Sequence, residues 1–273
     1  MKALDRVKDF PAAHVSAALV HADQHWQIGD INRSFELASV TKLLTSYGVL
    51  LAVEEGALEL DQPMGPPGST VRHLLAHASG VGFDSRRLSK PVGTRRIYSS
   101  AGYEILAEEL ALLTGIEFPD YLREGIFDPL EMNDTQLYGS AGHEARSTVA
   151  DLGLFIRELL SPTLLHPDTV LEACTPQFPE LVGVVPGYGM HKPCPWGLGP
   201  EIKGEKHPHW MGESMPAQCV GHFGMAGTYV WVHPETQRGM VMLSDEPFGD
   251  WAKPLWSEIN DAIWAELSSS TAG

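Results

Sequence analysis

TYVWVHPETQRGMVMLS, residues 228–244, reads as two apolar strands, 228–233 and 239–244, around the turn-rich loop PETQR, and so as a β-hairpin. Downstream, WAKPLWSEINDAIWAEL repeats Leu255, Ile259 and Ile263 at helical spacing, and SSSTAG is expected to fray after it. The other end of the chain has the same character: HVSAALV (14–20) and HWQIG (25–29) flank a short polar turn and predict a second hairpin. Between the ends the period changes to 3.6. Residues 40–55 (VTKLLTSYGVLLAVEE) carry Leu43, Leu44, Tyr47, Leu50 and Leu51 with Gly56 as a stop, and 101–114 ends at Gly115 in the same way. Thr148 and Asp151 form a capping pair ahead of LGLFIRELL, while 62–68 and 183–200 read as Pro/Gly-rich loops. The expectation is an α+β (α/β) fold, with one antiparallel sheet built from both termini and flanked by helices. Residues 1–55 with 205–273 would carry the sheet, 56–204 would be a mostly helical insertion, and a site would lie in the crevice between layers.

Composition narrows the function. The chain has 273 residues, 43 % of them hydrophobic, enough for a sizeable core. Asp+Glu outnumber Lys+Arg by 35 to 19, a net charge of −16, which repels a phosphate backbone and speaks against a nucleic-acid partner. The three cysteines, Cys174, Cys194 and Cys219, show neither C-x-x-C spacing nor an even count, so no disulfide framework is expected. The N-terminal stretch is broken by charges, a proline and histidines, and no run approaches a membrane span; a cytoplasmic protein without membrane contact is expected.

Three short segments carry groups capable of chemistry. Ser39-Val40-Thr41-Lys42 is the single S-x-x-K of the chain, and on a helix residues three apart share a face, so hydroxyl and amine can meet. A lysine serves as base only if its pKa falls from ~10.4 toward ~7, which costs about 4–5 kcal/mol and demands desolvation. The plain alternative is a capping serine ahead of a solvated lysine. Tyr98-Ser99-Ser100 precedes a helix, so Tyr98 can offer its phenol to a cleft or simply be a half-buried tyrosine before a cap. Gly221-His222-Phe223-Gly224 opens a strand whose backbone can approach a ligand and offer an N–H to an oxyanion; the alternative is a bulge with a structural histidine.

In order, these segments resemble the β-lactamase-related serine hydrolases: class C β-lactamases, penicillin-binding D,D-peptidases and carboxylesterases of that fold. FELASVTKLLTSYGVLLAVEEGALELDQP is similar to the family's nucleophile segment, TVRHLLAHASGV to its R-x-L-L-x-H-x-S-G stretch and IYSSAGYEILAEEL to its Tyr-Ser-Asn segment. IFDPLEMNDT resembles its Pro-Leu-x-Met loop, and GHFGMAGTYVWVHPE its third motif with His-x-G in place of Lys-Thr-Gly. The resemblance runs from about residue 33 to 245. It implies Ser39 as acyl-accepting nucleophile, Lys42 as general base, Tyr98 as proton shuttle, and backbone N–H groups of Ser39 and Met225 as oxyanion hole. His222 would stand where the family has its second cation, and Ser100, Phe223 and Gly224 would touch substrate.

Two departures bear on substrate. Ser100 replaces the usual Asn, losing an amide, and Phe223 stands where Thr often holds a carboxylate. Both favour esterase-type chemistry on small acyl substrates over β-lactamase or D,D-peptidase-like amide hydrolysis. An acyltransferase and a non-catalytic penicillin-binding-like sensor are the other readings. The short chain implies trimmed loops and an open cleft. The partner would be a small ester or amide, with no cofactor and no metal. No G-x-S-x-G or H-E-x-x-H occurs, and His207-Pro208-His209 lacks a cluster to complete a zinc shell. His73 and His77, four apart on an expected helix, read as structural, and Trp196, Trp210 and Trp231 as core or cleft lining.

Overall fold

In the computed structural model, which describes residues 1–270, the two terminal hairpins join edge to edge. The strands are β1 (Val15–His21), β2 (Gln24–Ile28), β3 (Glu201–Ile202), β4 (Val220–Gly224), β5 (Thr228–His233) and β6 (Arg238–Ser244). They form one antiparallel sheet in the order β2-β1-β6-β5-β4-β3. The fold is α+β, with the sheet drawn from both ends of the chain. Its last strand begins at Glu201, inside the stretch read as helical insertion.

The apolar runs of β5 and β6 are continuous because the sheet is covered on both faces, and the two-residue period sorts them. Ala17, Leu19, Tyr229, Trp231, Met240 and Met242 face one core, under the C-terminal helix; Ala18, Val20, Val230, Val232, Val241 and Leu243 face the other. The register pairs Leu19 with Met240 and Met240 with Trp231, so like faces meet across three strands.

On the second face lie α1 (Thr41–Glu54), α2 (Ser100–Thr114) and α3 (Val149–Leu160). Helix α1 is buried from Thr41 to Leu50 without a polar stripe, since it runs between the sheet and the other helices. Helix α2 starts at the Ser99 cap, whose hydroxyl accepts from Gly102 N, and stops at left-handed Gly115; α3 starts at Thr148, which accepts from Asp151 N. The first face is closed by α4 (Ala252–Ser270). Ser268 to Ser270 therefore continue the helix rather than fray, and 271–273 lie outside the described residues. His73 and His77 do not share a helix: that helix ends at Leu75, and His77 sits in a left-handed turn at φ 56°.

Trp256 on α4 anchors that helix to the first face. It is fully buried, edge-on to Tyr229 (5.2 Å between ring centroids), and beside Phe248 and Trp251. Trp256→Ala is expected to cost about 3–5 kcal/mol, because so large a hole between helix and sheet cannot collapse. Urea denaturation measures it; a loss under 1 kcal/mol would mean that α4 is not held by this contact.

Candidate active site

The first turn leading into α1 is clamped to the sheet before any side chain acts. Leu37 N donates to Ala145 O (2.9 Å), and Thr228 Oγ1 donates to Leu37 O (2.9 Å). Gly224 passes so close that a Cβ there would lie 2.3 Å from Leu37 O. Gly224 thus serves the seating of the serine segment. Ala38 is held at φ 46°, a left-handed strain worth about 1–2 kcal/mol, and Ser39 follows it half-buried at the helix entrance.

Lys42, one turn on, is fully buried. Its Nζ donates to Gly142 O (2.7 Å) and Ser100 Oγ (3.1 Å), and lies 4.6 Å from the ring centre of Tyr98 and 5.5 Å from that of Tyr103. Burial lowers its pKa to about 7, with the Glu104 carboxylate pulling weakly the other way. A neutral amine has two N–H donors and one lone pair. The carbonyl and the hydroxyl occupy the donors, leaving the lone pair to accept a proton.

Gly142 was not legible as a site residue. Its carbonyl reaches Lys42 because the backbone presses against Ser100, where a Cβ on residue 142 would lie 2.8 Å from the serine Cβ. Ser140 holds this loop, donating to Glu104 (2.6 Å) and accepting from Gly142 N (3.2 Å). Ser100 faces Lys42 in this way.

Tyr98 is positioned from behind by Arg96, a buried cation that donates to the carbonyls of Ala76, Gln177, Phe178 and Cys194. His77 packs beneath the phenol (4.7 Å) and accepts from Ser99 N (3.1 Å), which makes it structural. The Tyr98 hydroxyl shares the crevice with Ser39 and lies 3.5 Å from His222 Nε2. Burial raises the phenol's pKa, so it holds its proton at neutral pH.

His222 departs from expectation. Its Nδ1 donates to Phe223 O (2.7 Å), which leaves Nε2 as the acceptor facing Tyr98. Desolvation, reinforced by Lys42, lowers its pKa to about 3, so it does not supply a second cation at neutral pH. Phe223, next in the strand, points its ring the other way, among Tyr188, Trp210, Phe248 and Trp256, because strand neighbours face opposite sides. It borders the crevice while most of its ring packs in the core. Met225 follows β4 directly, its carbonyl accepting from Phe248 N (3.0 Å).

Ser39, Tyr98, His222, Phe223 and Met225 converge with Phe83, Pro186 and Trp196 on a crevice of about 60 Å³. It is narrow and largely apolar, not the open cleft expected from the chain length, because Phe83 stacks against Tyr98 (5.9 Å) and Pro186 closes the far side. Of the three tryptophans, Trp196 lines it while Trp210 and Trp231 are core. Nothing at the site resembles a metal shell, and among the described residues no group of three His, Cys, Asp or Glu is placed to hold an ion. His209 binds buried Glu201 (3.0 Å) and His207 pairs with Glu213 at the surface (3.2 Å). Among the described residues no helix is long and apolar enough to cross a membrane.

A protein-family model described as Beta-lactamase matches residues 18–257. The chain belongs to the beta-lactamase family. A crystal structure described as a beta-lactamase from Mycobacterium bovis is 46 % identical and superposes with a TM-score of 0.95, covering 97 % of this chain and 98 % of that one. Penicillin-binding protein 4* of Bacillus subtilis is 28 % identical over 52 % of this chain and 38 % of its own length. The D-alanyl-D-alanine-carboxypeptidase/endopeptidase AmpH of Escherichia coli is 25 % identical over 43 % and 40 %. The matches thus span well under half of those two relatives. Family membership makes the chain a protein of the beta-lactamase-fold serine hydrolase superfamily.

The lowered pKa of Lys42 has a consequence for folding. From about pH 7 up to the ordinary lysine range the unfolded chain binds a proton that the folded site does not. Stability should therefore rise over that window by about 1.4 kcal/mol per pH unit relative to Lys42→Met, and run parallel to it below pH 7. Urea denaturation of both proteins at pH 6, 7.5 and 9 checks this; parallel behaviour throughout would place the amine's titration in its usual range.

Proposed function

We propose that the protein is a serine esterase acting on small acyl esters through an acyl-enzyme on Ser39. The observation that carries this reading is the Lys42 amine, buried with both neutral-state donors occupied and beside the serine turn. Ser39 Oγ attacks the ester carbonyl while its proton passes to Lys42. The oxyanion forms against the N–H groups of Ser39 and Met225. As the carbon–oxygen bond to the alcohol breaks, Tyr98 gives its proton to the departing alkoxide and recovers one from the Lys42 ammonium. Water then repeats the path in reverse: Lys42 and Tyr98 take its proton, it attacks the acyl carbon, and Ser39 leaves with a proton restored.

The preference for esters follows from what the crevice lacks. Neutral His222 and the inward Phe223 ring give no cation or hydroxyl for a substrate carboxylate, and each such charge-assisted hydrogen bond is worth about 1.5–3 kcal/mol. An alcohol also departs with less protonic help than an amine. A fluorophosphonate probe should label one serine, lost in Ser39→Ala, and turnover of p-nitrophenyl butyrate should fall by roughly 10⁴-fold in that variant. On one preparation, kcat/KM for the ester should exceed that for nitrocefin; labelling elsewhere, or nitrocefin matching the ester, would overturn the reading.

The pH profile tests the base separately. With Lys42 titrating at about 7, kcat/KM should fall roughly tenfold per pH unit below that value and level off above it. His222, neutral above about 3, adds no limb in between. A flat profile from pH 5 to 8 would remove Lys42 from the base role.

A further inference from the structure

Eleven large hydrophobic side chains are exposed among the described residues, and five of them, Phe83, Leu88, Val184, Met190 and Met225, lie on the crevice wall or on the loop and hairpin that contribute to it. Phe83 and Met225 line it directly. Leu88 lies on the same loop as Phe83, folded back by the Val81–Leu88 bridge. Val184 and Met190 are cross-strand partners on the hairpin Gly183–Val185/Gly189–His191, whose connection includes the crevice residue Pro186. Loop and hairpin are joined: Arg96 bridges Gly183, and the Arg95 guanidinium reaches Met190 Sδ (3.8 Å). The apolar lip is therefore continuous with the crevice wall.

Its charge runs against that of the molecule. In a chain of net charge −16, the stretch from Phe83 to Arg95 holds Arg86, Arg87, Lys90 and Arg95 against the single acid Asp84. Arg86 is paired with Glu108, while Arg87, Lys90 and Arg95 enter no ion pair among the described residues. An apolar rim bearing unneutralised cations complements a molecule that is apolar beside its reactive group and anionic farther out.

We infer that the lip binds the alcohol portion of the substrate, and that this alcohol is an amphiphile ending in an anionic group, a carboxylate or phosphate. The inference rests on the esterase reading of the same site. The crevice, at about 60 Å³, takes a short acyl group; the alcohol must leave across the lip, where Leu88, Val184 and Met190 cover its alkyl part and Arg87, Lys90 and Arg95 meet its charged end. This carboxylate or phosphate binds outside the crevice, where His222 and Phe223 play no part.

The test compares ethyl butyrate, hexyl butyrate and 6-butyryloxyhexanoate in a pH-stat. Hexyl over ethyl butyrate should gain about tenfold in kcat/KM, since four methylenes laid on a half-exposed surface recover less than half of full burial. Leu88→Ser/Met190→Ser should abolish that gain while ethyl butyrate turnover stays unchanged. For 6-butyryloxyhexanoate the sign of the salt effect decides. Attraction to the lip makes kcat/KM fall severalfold between 20 and 300 mM NaCl, whereas repulsion by the overall negative charge makes it rise. Arg87→Gln/Lys90→Gln/Arg95→Gln should convert the fall into a rise. Flat chain-length dependence, or a rise with salt in the unmodified protein, overturns the inference. Loss of ethyl butyrate hydrolysis in the unmodified protein would instead overturn the esterase reading.

Discussion

An amine held where water does not reach is the constraint around which this molecule is arranged. Lys42 and Lys206 are both buried and are treated in opposite ways. Lys206 lies 3.0 Å from the Glu201 carboxylate, with His209 and Trp210 completing the acceptor's shell. There the charge is matched, and the buried pair braces the wall beneath Trp196. Lys42 meets only a carbonyl, a hydroxyl and two aromatic faces. Glu104 touches its neighbour Ser140 rather than the amine. A direct carboxylate would keep Lys42 charged; its distance lets the amine lose its proton near neutrality.

That arrangement explains why the surroundings must be stiff. An unmatched cation in the core persists only if the chain cannot swing it to water, and α1 prevents this by being buried along most of its length. The same stiffness is imposed on Ser39 through strained Ala38, on Tyr98 through the four carbonyls gripping Arg96, and on the 140–144 loop through Ser140. Arg96 and Ser140 are buried or half-buried polar groups with their hydrogen bonds made, which tolerate little displacement in a dry interior.

Sequence periodicity exposed the frame because burial on two faces leaves a strong mark: Tyr229 and Trp231 alternate with Val230 and Val232, and the helices carry their caps at Ser99 and Thr148. Ser39, Lys42, Tyr98 and His222 were legible as candidates by residue type and spacing, and they do meet. What spacing could not convey was environment. The charge of His222 depends on burial, with Trp196 packed against it, and on the positive charge of Lys42, both remote in sequence. The strand's own alternation sets the Phe223 ring opposite His222, while the residue still borders the crevice. Gly142 and Arg96 act through backbone carbonyls and close approaches, which leave no residue-type signature. The crevice is narrow because of Phe83 and Pro186, two residues on loops whose paths no periodicity describes.

The electrical state of the assembled site bears on its chemistry. At neutral pH Tyr98 and His222 carry no charge, and Lys42 titrates at about 7. In its neutral-amine form the crevice holds no net charge before reaction. When Ser39 attacks, an oxyanion and the Lys42 ammonium appear together from neutral partners, and in a low-dielectric crevice two such charges attract one another far more strongly than the same pair would in water. A permanent second cation in place of His222 would favour the oxyanion as well, but it would also hold Lys42 protonated less readily and attract carboxylates into the crevice itself. Neutral His222 instead accepts from Tyr98 and fixes the phenol's direction without adding charge. The positive groups are placed outside, on the lip, where they can act on the far end of a substrate while the reacting centre stays uncharged until the bond begins to form.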